Sequence, residues 1–84
     1  MQYIVVETFK PGCFEAVYRR FEREGRLLPE GLEYIDSWLT EDHAVCFQLM
    51  ATEEQALLDT WTSRWTDLVD FEIFPLDGGS VSSR

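Results

Sequence analysis

Four carboxylates give this chain its best scope for chemistry. Glu7, Asp36, Asp70 and Glu72 all lie in stretches that alternate with the period of a β-strand. A carboxylate on a strand face that becomes buried must gain partners or shift its pKa. If Glu7 and Asp36 share a cavity with Tyr34 and Trp38, either could act as a general base on a small apolar substrate. The plainer alternative leaves them at a rim, in water or against arginines. Asp70 and Glu72, on an edge strand, are expected to be solvated. His43 is the single histidine and a third catalytic candidate. It falls at a hairpin tip, where histidine tolerates the left-handed conformation, and that role alone would explain it. Cys13 falls at the start of a helix, where a thiol pKa can drop, although a packed, inert cysteine is the favoured reading. Cys46 falls in a central strand. Arg26 could fold over the end of the sheet to hold a ligand carboxylate. An i,i+4 pair with Glu22 is the competitor favoured by spacing.

These residues are positioned by the stretch 32–51, LEYIDSWLTEDHAVCFQLMA, which reads as a β-hairpin. An odd loop, Glu41-Asp42-His43, pairs Ile35 with Leu49 and Leu39 with Val45. It also pairs Tyr34 with Met50, Asp36 with Gln48 and Trp38 with Cys46. An even loop would mix the two sets, because a one-residue slip flips every side chain. Residues 2–9 form an earlier strand that ends at Lys10-Pro11-Gly12. A first helix starts near Pro11, carries Phe14, Val17, Tyr18, Phe21 and Leu28 at helical spacing, and closes at or near Gly25. Thr52-Glu53-Glu54-Gln55 matches a capping box for a second helix with Leu57, Leu58, Trp61, Trp65 and Leu68 on one stripe. The two tryptophans are expected in the core rather than as a ligand-stacking pair. Residues 69–76 form a last strand, and Pro75 suits an edge.

The order βαββαβ predicts an α+β, ferredoxin-like fold: a four-stranded antiparallel sheet, order 4-1-3-2, with two helices on one face. Residues 1–77 make a single domain and 78–84 a Gly/Ser tail expected to be loose. The helices are expected to cover Ile4, Val6, Ile35, Leu39, Val45, Phe47, Leu49, Phe71 and Ile73. The open face then carries Tyr3, Val5, Glu7, Phe9, Tyr34, Asp36, Trp38, Cys46, Gln48, Met50, Asp70, Glu72 and Phe74. Such an aromatic face calls for cover, most simply by a second copy packed sheet to sheet.

Composition limits the partners. The 84 residues carry a formal charge of −9, with 16 acidic against 7 basic side chains, which disfavours nucleic acid and anionic membranes. Arg19, Arg20, Arg23 and Arg26 cluster but are interleaved with glutamates, as on a solvated helix face. Two cysteines form neither a disulfide framework nor a zinc motif. With no leader or membrane-length apolar run in the sequence, a reducing cytoplasm is the expected location. No metal and no cofactor are predicted.

The segments IVVETFKPG, RLLPEGL, YIDSW, CFQLM and LVDFEIFP, at their spacings, resemble a family of short bacterial proteins defined as a domain of unknown function. The resemblance spans residues 1–76. That family is similar in fold to the dimeric α/β-barrel proteins, in which two ferredoxin-like protomers bring their sheets together around a cavity. The resemblance implies a homodimer with a pocket; it transfers no reaction. The expected function is binding of a small apolar molecule in the sheet-face cavity, lined by Tyr3, Glu7, Tyr34, Asp36, Trp38, Gln48 and Met50. The alternatives are a structural or regulatory dimer (or protein-interaction module) with a packed face, and a cofactor-independent isomerase or oxygenase. Whether the chain is an enzyme is left open by the sequence.

Overall fold

The structure, a computed structural model, describes residues 1–77; the expected loose tail, 78–84, lies outside the described residues. Period-two segments form β1 (Gln2–Phe9), β2 (Glu33–Leu39), β3 (Val45–Ala51) and β4 (Val69–Pro75). Helical spacing gives α1 (Phe14–Glu24) and α2 (Ala56–Thr62). The strands form one antiparallel sheet in the order β2-β3-β1-β4, which is the ferredoxin-like arrangement read from the sequence. Pro75 closes an edge strand, where a missing amide breaks no ladder.

Both helices cover one face, but not the one expected. Tyr3, Val5 and Glu7 of β1 are buried beneath the helices, as are Gln48 and Met50 of β3. Ile4 and Val6 point to the open face with Trp38, Phe47, Leu49 and Phe74. Residues directly opposite on neighbouring strands share a face. Tyr3 pairs with Met50, Val5 with Gln48 and Ile73, and Glu7 with Cys46 and Phe71. Val69, Phe71 and Ile73 do face the helices, and the pairing carries the odd-numbered residues of β1 with them. Both faces of this sheet are rich in apolar residues, so alternation groups side chains correctly yet leaves open which group the helices take.

The hairpin also differs at its tip. Tyr34 pairs with Met50 as expected, but Asp36 then pairs with Leu49, Trp38 with Phe47 and Leu39 with Cys46. A β-bulge between Tyr34 and Asp36 absorbs the slip. Ile35 is the extra residue, and it remains 39% exposed. The turn beyond is even rather than odd. The Thr40 amide donates to the Val45 carbonyl at 2.9 Å, leaving residues 41–44 as the loop. Asp42 holds it: its carboxylate accepts from the Thr40 hydroxyl at 2.7 Å and the Ala44 amide at 3.0 Å. His43 takes φ 61° there, the left-handed conformation expected of it. The bulge places Tyr34 and Ser37 on the same helix-facing side, and their hydroxyls lie 2.7 Å apart.

The two helices are unequal. Leu58 and Trp61 of α2 are fully buried against Tyr3, Val5 and Met50. Burial of each such side chain is worth about 1.5–3 kcal/mol, so this end of the molecule holds most of the core. Thr52 does not cap the helix as a capping box would. Its hydroxyl accepts from the Glu54 amide at 3.1 Å, making a turn one step ahead of α2. α2 stops at Thr62, and hydrogen-bonded turns carry the chain through Trp65 to Leu68. By contrast, α1 begins at Phe14, later than Pro11, ends at the expected Gly25 and buries none of its residues. It is tied down at its side by Arg20, which makes two hydrogen bonds to Asp67, at 2.9 and 2.6 Å, and one to the Arg64 carbonyl at 2.8 Å.

Candidate functional site

The apolar side of α1 stays unburied because a cavity of about 220 Å³ lies beneath it. Val17, Tyr18 and Phe21 of α1 form the roof, and Glu7, Phe9, Cys46, Gln48 and Phe71 of the sheet form the floor. Trp61 and Trp65 close one side, and Arg26 reaches in from the loop after α1. An apolar cavity of about 150 Å³ accommodates a benzene ring, so this one has room for a larger or substituted ring.

Glu7 is the polar centre of the floor. It is 7% exposed, and Gln48 Nε2 donates to its Oε2. Burial drives its pKa from 4.5 to about 7; the hydrogen bond from Gln48 and the field of Arg26 oppose the rise without cancelling it. At neutral pH this carboxyl is therefore poised between acid and base, the condition for efficient proton transfer. Gln48 is 8% exposed, and its Oε1 is buried with no hydrogen-bond partner among the described residues. The Cys46 thiol lies nearby, pushed up to about 11 by burial and by Glu7, so it stays protonated and is a poor nucleophile.

Arg26 does not pair with Glu22. Its guanidinium lies 3.5 Å from the centre of the Tyr34 ring and 5.1 Å from that of Phe21. Its carbonyl accepts from both indoles, Trp61 Nε1 at 2.9 Å and Trp65 Nε1 at 3.1 Å. Arg64 donates to the next carbonyl, of Leu27, at 2.6 Å, and Leu27 takes φ 60°. The tryptophans thus belong to the core, as expected, and also fix the loop that presents Arg26.

The candidate residues divide between the two sides of the sheet. Glu7 and Gln48 meet in the cavity. Tyr34 adjoins it through Arg26 and Ser37. Tyr3 and Met50 are 4% and 0% exposed and belong to the packed core beyond it. Asp36 and Trp38 lie on the open face, so the expected grouping of Glu7 with Asp36 and Trp38 is not formed. Asp36 accepts from the Ser37 amide at 2.8 Å, and Trp38 is 51% exposed. Asp70 and Glu72 are exposed, Asp70 beside Lys10 at 3.2 Å. His43 is exposed and stacks on Phe14, ring centres 4.7 Å apart. Cys13 precedes α1 and caps nothing with its side chain. The lining from α1 and from Trp61, Trp65 and Phe71 was missed as a site because each residue reads as core. Among the described residues no cluster of three or more metal-ligating side chains occurs, and no helix is long and apolar enough to cross a membrane.

Residues 1–77 match the family described as a domain of unknown function, DUF3303. The chain belongs to the DUF3303 family. No curated protein matches it in sequence. The match spans all of the described residues of this DUF3303 chain and names no activity, so the functional reading rests on the geometry around Glu7.

The buried carboxyl sets a pH signature. Well below pH 4.5 Glu7 is protonated folded and unfolded alike, and its burial is harmless. As pH rises toward about 7 the unfolded chain ionises first, so folding stability falls, by on the order of 3 kcal/mol in full. Glu7→Gln removes this contribution. Urea unfolding at pH 5 and pH 8 is expected to show the wild type losing about 2–3 kcal/mol relative to the variant at the higher pH. Parallel profiles would mean that Glu7 is solvated.

Proposed function

We propose that this protein binds a small, largely apolar molecule beneath α1, with Glu7 as the group that exchanges a proton with it. The observation that carries this is the Glu7–Gln48 pair, buried under a helix that leaves space above it. An aromatic wall supplies affinity by apolar burial, and a few convergent polar groups set orientation, which is the usual make-up of a small-molecule site. A carboxyl near pH 7 favours an enzymatic version without a cofactor. Glu7 would take a proton from a carbon beside a carbonyl and return it to another carbon of the same molecule, an isomerisation that needs no oxidant. A purely structural dimer is the competing possibility.

The open face supports a homodimer. Ile35, Trp38, Phe47 and Phe74 remain exposed on it, at 39%, 51%, 39% and 48%. Half-buried Ile4, Val6 and Leu49 lie between them. A second copy packed on this face would remove a continuous apolar surface from water. The dimer contact and the cavity would then use opposite sides of the sheet.

2-Naphthol tests the cavity. In ¹H–¹⁵N spectra it is expected to move the indole signals of Trp61 and Trp65 and to leave that of Trp38 in place. Movement of Trp38 alone would put binding on the open face and contradict the proposal. Light scattering on a sizing column tests the dimer: twice the chain mass is expected for the wild type and a monomer for Phe47→Asp. A monomeric wild type at micromolar concentration would remove the dimer.

A further inference from the structure

Two polar groups at the cavity lack hydrogen-bond partners among the described residues, and they are complementary to one kind of molecule. The first is the Arg26 guanidinium. It lines the cavity, half-buried between the Tyr34 and Phe21 rings, and is in no hydrogen bond or ion pair among the described residues. Arg20, over the Trp65 ring at 5.3 Å, is by contrast committed to Asp67. The second is Gln48 Oε1, buried and unpartnered, on a side chain whose amide nitrogen is held by Glu7. A buried acceptor without a donor is destabilising, and a ligand O–H or N–H would relieve it.

We propose that the ligand is a small planar monocarboxylate, its carboxylate held by Arg26 and a hydroxyl or N–H on its ring system donating to Gln48 Oε1. This rests on the cavity being a ligand site. A guanidinium presents its N–H groups in a planar fork that matches a carboxylate in two parallel hydrogen bonds. The fork is set in place before any ligand arrives. Stacking on two rings fixes the guanidinium, and two indole N–H groups hold the carbonyl of the same residue, at 2.9 and 3.1 Å. Preorganisation of this kind lowers the ordering cost of binding. The charge balance favours a monoanion. One arginine is offered, Glu7 lies within its field, and the chain carries a net charge of −9, so a phosphate dianion would meet repulsion that a single guanidinium does not offset. The aromatic walls favour a flat ring system over a branched aliphatic one.

Is Arg26 there only to balance Glu7? A direct pair would hold that carboxyl low, whereas burial prevails and no ion pair forms between them. The guanidinium therefore has capacity left for an incoming anion.

The test uses 6-hydroxy-2-naphthoate, its methyl ester and 2-naphthoate, titrated calorimetrically into the full chain. The acid is expected to bind the wild type about tenfold or more tighter than the ester, the range of a charge-assisted hydrogen bond. Arg26→Gln is expected to bring acid and ester within about threefold of each other. 2-Naphthoate, lacking the hydroxyl, is expected to bind several-fold more weakly than the hydroxy acid. An ester as tight as the acid overturns the role of Arg26. Equal binding of the two acids overturns that of Gln48. If the hydroxy acid and ester both fail to bind, the proposal falls, and failure of 2-naphthol as well removes the cavity reading beneath it. Should Arg26→Gln not fold, the acid–ester comparison on the wild type decides alone.

Discussion

Water solvates a carboxylate far better than a protein interior does, and Glu7 sits where that difference is felt most. Its strand places it under the helices because Val5, Tyr3 and their partners on β3 must be there too. Alternation allows no exception for one polar residue. The surroundings answer with a single amide donor from Gln48 and the more distant field of Arg26. These do not restore what solvation is lost, so the carboxyl titrates at about 7. The space above it is the other half of the same constraint. A helix packed flat on Glu7 and Gln48 would seal in two imperfectly satisfied polar groups. Instead α1 arches over them with Val17, Tyr18 and Phe21 lining an open volume.

Stability and site are divided between the two helices. α2 and the turns after it carry Leu58, Trp61 and Trp65, the dense part of the core. α1 contributes no buried residue and is held by the Arg20–Asp67 contact and by ring contacts at its start. The link between the two is the Arg26 carbonyl. Two tryptophans from the dense core donate to it, so the loop leaving α1 is tied to the most deeply buried part of the molecule.

Much of this was legible in the residues. Alternation at 2–9, 45–51 and 69–75, the helical spacing from Phe14 to Phe21, and Gly25 at the end of α1 led to the βαββαβ order and the strand arrangement. The grouping of Tyr3, Glu7, Tyr34, Gln48 and Met50 on one face also followed from alternation. Three things were not readable. Which face the helices cover was ambiguous, because Ile4, Val6, Phe47 and Leu49 are as apolar as any core set. The bulge at Ile35 was invisible because it leaves the start of the hairpin in the expected register and displaces only its far end. That displacement is what moved Trp38 and Asp36 away from Glu7. Arg26 could be suspected of holding an anion from its place after α1. The two indole bonds to its carbonyl join residues 35 and 39 positions apart, beyond any local pattern.

The most direct measurement is the titration of Glu7 itself, followed through its side-chain carboxyl ¹³C shift by NMR between pH 3 and pH 9. A midpoint near 7, set apart from the other carboxylates, is the result required by a carboxyl buried beneath α1. A midpoint near 4.5 would mean that Glu7 is solvated or fully compensated, and would contradict the account of it as a carboxyl whose burial dominates.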